Sequence, residues 1–128
     1  PRGSSTSRPC DGSPDRRLPG FWDTLGWCCG SAGVADTFLE LHQSGGRSEY
    51  LNFARSIADD IVARATADDR GMRWSNIEFR SIPPELPPQT GWMQGASGIG
   101  ATLVRLDRFL AGDDTCIRLP GSPFSRLT

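Results

Sequence analysis

The sequence predicts an all-α fold built from a repeated helical unit, and three observations lead there. Residues 26–33 read GWCCGSAG and residues 91–98 read GWMQGASG, one phrase written twice at an offset of 65 residues. Each copy runs directly into a segment whose apolar residues recur at helical spacing. A third helical segment lies between them, and extended character is confined to one short stretch.

The repeat is longer than its signature. Across 26–41 and 91–106, six of sixteen positions are identical: Gly26/Gly91, Trp27/Trp92, Gly30/Gly95, Gly33/Gly98, Thr37/Thr102 and Leu41/Leu106. Val34/Ile99, Phe38/Leu103 and Leu39/Val104 exchange one apolar side chain for another. A unit of this kind cannot bury its apolar face alone and stacks on its neighbours. The two copies are therefore expected to be equivalent stations of one repeating structure.

Residues 1–18 are rich in Pro, Gly, Ser and Arg and carry few apolar side chains. Too little surface can be buried there to offset the entropy of ordering, so a flexible lead-in is expected. The first helix is predicted over 31–43, where Val34, Phe38 and Leu41 form a stripe. Ser31 is placed to cap it and Gly45-Gly46 to stop it. The second spans 48–66, with Leu51, Ala54, Ile57, Ala58, Ile61, Val62 and Ala65 on one broad face. Ser48 is its candidate cap, and Gly71 follows its end.

A long connection follows. RWSNIEFRSI (73–82) suits a short extended stretch, and PPELPP (83–88) excludes a helix interior. The third helix is predicted over 96–111, with Ile99, Leu103, Leu106 and Leu110 repeating the first stripe and Gly112 closing it. Residues 112–128 read as a tail, which leaves 19–111 as the folded segment.

Charge and composition exclude several functions. A net charge of -1 gives no basic footprint for nucleic acid. No run of about 18 apolar residues exists to span a membrane. All fourteen basic residues are Arg. No secretory leader is expected, so the four cysteines read as reduced thiols in a cytoplasmic protein. The start at Pro1 rather than Met reads as an excerpt from a longer chain. Neither glycine-rich turn carries the Lys-Ser/Thr of a phosphate loop. The glycines instead suit tight turns and close approach of helix starts. Trp27 and Trp92 are then expected in equivalent grooves between helices. Adjacent Cys28 and Cys29 read as small thiols buried beneath a helix start.

LGWCCGSAG (25–33) followed by GWMQGASGIGATLVRL (91–106), together with PGFWD (19–23) and YLNFA (50–54), resembles the C-terminal part of LanC-like proteins. These are the lanthionine synthetase cyclases. The resemblance implies a partial α/α toroid, in which 31–43 and 96–111 are inner helices and 48–66 an outer one. It implies addition of a peptide cysteine thiol to a dehydroamino acid, forming a thioether ring. Zinc-dependent members hold the metal with a Cys in W-C-x-G and a Cys-His pair in C-H-G. Three protein ligands and one open position suit catalytic zinc.

By that resemblance Cys28 matches the first ligand, but Met93 and Gln94 stand where the second Cys and the His belong. A thioether and an amide are weak partners for zinc. His42 lies 14 residues beyond Cys28, about 20 Å along a helix, too far to share an ion. It reads as a partner for the helix C-terminus. Cys10 and Cys116 lie in the tails. No cofactor is therefore expected, and zinc at Cys28 is the one ion the resemblance would introduce. The family's acid/base residues belong to earlier repeats and have no counterpart here.

Trp27, Cys28, Cys29, Trp92, Met93 and Gln94 are the candidate pocket residues; no catalytic residue is assigned. Asp59-Asp60 and Asp68-Asp69 read as solvated charges. Three functions stay open. The chain is a fragment of a cyclase that works without zinc, as similar domains fused to kinase-like domains do, or is inactive by itself. Alternatively it is a non-catalytic toroid segment that binds a peptide or protein. The third reading, a six-hairpin glycosidase-like enzyme, lacks the spaced carboxylate pair that such chemistry needs. The expected partners are a peptide substrate or the upstream part of the toroid, with no nucleic acid and no membrane.

Overall fold

The computed structural model describes residues 24–77 and 82–113. The expected lead-in (1–18), the stretch 19–23, residues 78–81 of the expected extended stretch, Cys10, Cys116 and nearly all of the tail lie outside the described residues. The chain runs through helices α1 (Ser31–Gly45) and α2 (Ser48–Ala63). Strands β1 (Thr66–Asp68), β2 (Gly71–Arg73), β3 (Asn76–Ile77) and β4 (Glu85–Leu86) come next, then helix α3 (Ala96–Leu110). The structure is mostly helical. Its strands form two short antiparallel ladders, β1 with β2 and β3 with β4. No described helix is long and apolar enough to cross a membrane.

Both helix starts solve the problem of unsatisfied N–H groups in the same way. Ser31 and Ala32 donate to the carbonyls of Thr24 and Leu25; Ala96 and Ser97 donate to those of Gln89 and Thr90. Every one of these pairs recurs at the offset of 65. The preceding turn folds back over the helix start, so no side-chain cap is needed at either end. The caps expected at Ser31 and Ser48 are thereby corrected: the capping positions are Gly30 and Arg47.

Such folding back requires glycine. A Cβ on Gly33 or on Gly98 would lie 2.1 Å from the carbonyl oxygen of Trp27 or Trp92. Thr37 and Thr102 then donate to the Gly33 and Gly98 carbonyls at 2.9 and 3.1 Å. At its other end α1 stops as the sequence predicts. Gly46 takes a left-handed φ of 67° and its N–H meets the His42 carbonyl.

The core lies between α1 and its two neighbours. Ala32, Ala35 and Leu39 of α1, Ala54, Ile57, Ala58 and Ile61 of α2, and Ile99, Leu106 and Phe109 of α3 are buried with Leu25 and Trp74. On α1 this differs from the predicted stripe. Val34 is 44% exposed, while Phe38 and Leu41 are half-buried. The small Ala32 and Ala35 let neighbours come close, and Phe38 turns aside to pack edge-on against Phe53 at 4.5 Å. Val62 and Leu110, expected on the packed faces, are also exposed.

Helix α2 ends earlier than its apolar pattern suggests. Trp74 explains the stop: its indole N–H donates to the Ile61 carbonyl at 2.8 Å, capping the last turn from the connection. Gly71, expected just past the helix, instead opens strand β2 directly after the hairpin turn, with φ 109°.

Candidate functional site

The two glycine-tryptophan turns sit against each other. The Cys28 N–H donates to the Met93 carbonyl at 2.8 Å, and the Trp27 and Trp92 rings pack with centroids 5.8 Å apart. A Cβ on Gly26 would fall 2.7 Å from the Gln94 Cα. Motifs separated by 65 residues in sequence thus share one small surface. All six candidate residues belong to it. Trp27 and Trp92 are half-buried, while Cys28, Cys29, Met93 and Gln94 are exposed.

Asn76, which the sequence did not single out, holds the two turns together. It is 2% exposed, accepts the Leu25 N–H at 3.0 Å and donates to the Gln94 carbonyl at 2.8 Å. One buried amide therefore ties the first turn to the second. Asn76 lies within the stretch expected to be extended, but nothing in that pattern marked it as a link between the turns.

Cys28 and Cys29 are exposed, which corrects the expectation of two buried thiols. Folding the turn back over the helix start leaves the glycines inside and points the two residues between them outward. Their sulfurs are in contact at 3.3 Å, with the Cys29 thiol donating to Cys28. That hydrogen bond is the main cause that pushes the Cys29 thiol above its usual range. Cys29 is held from behind, because the Thr24 hydroxyl donates to its carbonyl at 2.8 Å.

Below this surface lies a buried ionic cluster, also unforeseen. Arg105 is 1% exposed and forks between Asp36 and Glu40, meeting Glu40 at 2.5 Å and Gln43 at 3.3 Å. Asp36 also accepts the Trp27 indole N–H at 3.2 Å. Burial pushes the Asp36 carboxyl above its ordinary value, outweighing the opposite pull of Arg105 and Trp27. One sequence signal existed. Glu40 and Arg105 occupy the same position of the repeat, so equivalent helices carry opposite charges where they face each other. The Asp36 equivalent is Ala101, and the buried Trp92 N–H correspondingly finds no acceptor among the described residues.

His42 lies in the last turn of α1, where its Nδ1 meets the Arg47 carbonyl at 2.9 Å and its ring meets Phe109 edge-on. A carbonyl only accepts, so Nδ1 carries the proton there. Asp60 pairs with Arg64 at 3.2 Å. Asp68 pairs with Arg73 at 2.8 Å across the hairpin, which holds its carboxyl below the usual range.

The donor set at the paired turns does not fit zinc. Cys28 and Cys29 supply two sulfurs from adjacent positions, and the facing turn offers a thioether and an amide. Among the described residues, no three His, Cys, Asp or Glu side chains gather into a metal-sized group. Set against protein-family models, curated proteins and solved structures, the chain matches none of them.

Proposed function

We propose that the chain is a pair of stations from a LanC-like toroid. Its exposed thiol face would lie along a peptide that carries cysteine and dehydroamino acids. The observation that carries this reading is the pairing of the two motifs, Cys28 N–H to Met93 carbonyl and Trp27 against Trp92. In that family the equivalent turns bring the cysteine of one motif beside the second motif.

Burial differs between equivalent positions of the two copies, as it would at stations of a ring that meet different neighbours. Leu39 is fully buried while its equivalent Val104 is 55% exposed, and Ile99 is fully buried while Val34 is 44% exposed. Leu39 is covered because α2 follows α1. No described helix follows α3 to cover Val104. Cyclisation would need acid/base groups from the rest of the toroid, and the chain alone would bind peptide without closing rings. The buried carboxylates Asp36 and Glu40 are committed to Arg105, which disfavours the glycosidase-like alternative.

Two measurements test the proposal. Met93→Cys combined with Gln94→His would restore the family's ligand set opposite Cys28. Elemental analysis should find about one zinc per folded double variant and none in the parent purified without added metal. A well-folded double variant without zinc rejects the LanC-like pairing. Separately, a labelled peptide containing cysteine and dehydroalanine should bind the parent chain, read by fluorescence anisotropy, and bind less to Trp27→Ala. Equal binding by both rejects the peptide face.

A further inference from the structure

The geometry points to the Cys28–Cys29 pair as a two-sulfur site for a pyramidal, trivalent thiophilic centre, the chemistry of arsenite and organoarsenicals. It stands independently of the peptide reading. Both thiols are exposed, and their sulfurs already lie side by side at 3.3 Å. The backbone beneath them is fixed at both ends. Cys28 N–H is held by the Met93 carbonyl, and the Cys29 carbonyl by the Thr24 hydroxyl. A ligand that bridges the two sulfurs therefore meets a pair that is already aligned, and the ordering cost of chelation is small.

The spacing selects among soft centres. Two bonds of about 2.3 Å, typical of metal–thiolate contacts, reaching sulfurs 3.3 Å apart enclose an angle of about 90°. A tetrahedral zinc would need the sulfurs about 3.8 Å apart at the same bond length. A linear two-coordinate ion would need about 4.6 Å. A trivalent centre with a lone pair bonds near right angles and so fits the pair as it stands. It also brings its own third substituent. That matters because no third His, Cys, Asp or Glu side chain among the described residues completes a site.

The reaction is balanced without a redox partner. An arylarsenic(III) oxide forms two arsenic–sulfur bonds, its arsenic–oxygen bond breaks, and both thiol protons leave with the oxygen as water. Arsenic remains trivalent and both cysteines remain reduced in the formal sense.

The test uses the full chain, reduced and desalted, with one equivalent of phenylarsine oxide and intact-mass detection. One phenylarsenic group should add per chain. It should survive excess 2-mercaptoethanol and be removed by 1,2-ethanedithiol. Cys28→Ser and Cys29→Ser should each weaken retention by about 100-fold or more, the usual gain from a second linked contact. Cys10→Ser combined with Cys116→Ser should change nothing. Peptide mapping of the unsubstituted adduct should place arsenic on the segment holding both Cys28 and Cys29. Arsenic mapped to Cys10 or Cys116, a monothiol-labile adduct, or full retention in either single variant overturns the assignment.

Discussion

Replacing Arg105 by Met tests the buried cluster most directly. Methionine keeps an unbranched apolar stem and deletes the guanidinium. Arg105 is 1% exposed, and its partners Asp36 and Glu40 are 4% and 7% exposed. Neither carboxylate can recover its hydration without opening the helix packing. Removing one partner of such a pair costs about 3–5 kcal/mol, against a typical domain stability of about 5–15 kcal/mol. With about 4–8 °C lost per kcal/mol in a body this small, the melting midpoint should fall by at least about 12 °C.

The pH dependence gives the cause away. Burial already raises the Asp36 carboxyl above its ordinary value. Between that value and the raised one, the folded chain binds more protons than the unfolded chain, so stability falls as pH rises through the window. Deleting Arg105 removes a force that lowers the folded value, so the window widens. The variant should regain more stability than the parent as pH is lowered toward the ordinary carboxylate value. Circular dichroism melts at several pH values provide the assay. A triple variant, Asp36→Leu, Glu40→Leu and Arg105→Met, should recover much of the loss, since a well-packed apolar replacement is often neutral. If the Arg105→Met midpoint stays within about 3 °C of the parent, less than 1 kcal/mol on the same scale, the cluster is not a buried ion pair.

Further expectations follow from the paired turns and the hairpin. Gly26→Ala should cost about 1–3 kcal/mol, because its Cβ meets the Gln94 backbone, whereas Gly91→Ala at the equivalent position meets nothing within 4 Å. Equal denaturation midpoints for the two would contradict the docking of the turns. Asn76→Ala leaves the buried Leu25 N–H and the part-buried Gln94 carbonyl without their side-chain partner. A loss of about 1–3 kcal/mol is expected by urea unfolding, and an unchanged midpoint would remove Asn76 from the linkage. Asp68 is held low by Arg73, so its contribution is present above the ordinary carboxylate value and lost as pH falls through the depressed folded value. The acid side of the stability profile should flatten in Asp68→Asn, and an identical profile would speak against the pair.

The helices were legible because their signals are local. The glycine pair at 45–46, the helical spacing in α2 and the glycine-tryptophan phrases depend on neighbours in sequence. The buried face of α1 was not legible. A periodicity argument ranks Val34 above Asp36 and Glu40, yet the acids lie inside because Arg105, 65 to 69 residues away, meets them. Asn76 was hidden for a similar reason. Its partners Leu25 and Gln94 are main-chain groups, which leave no mark on side-chain identity. For the candidate site, the repeat brought the right residues to attention. It gave no sign that Cys28 and Cys29 would point outward, since inside and outside of a turn are set by the glycines that must be covered.

The contact between the two turns has a direction. The first offers an N–H from Cys28 and the second answers with a carbonyl from Met93, and the tight side of Gly26 has no counterpart at Gly91. Such a joint is heterologous, with unlike surfaces meeting. It cannot satisfy a two-fold axis by matching a patch to itself. The two turns are therefore unlike partners despite their shared sequence, and each already has its match within the same chain.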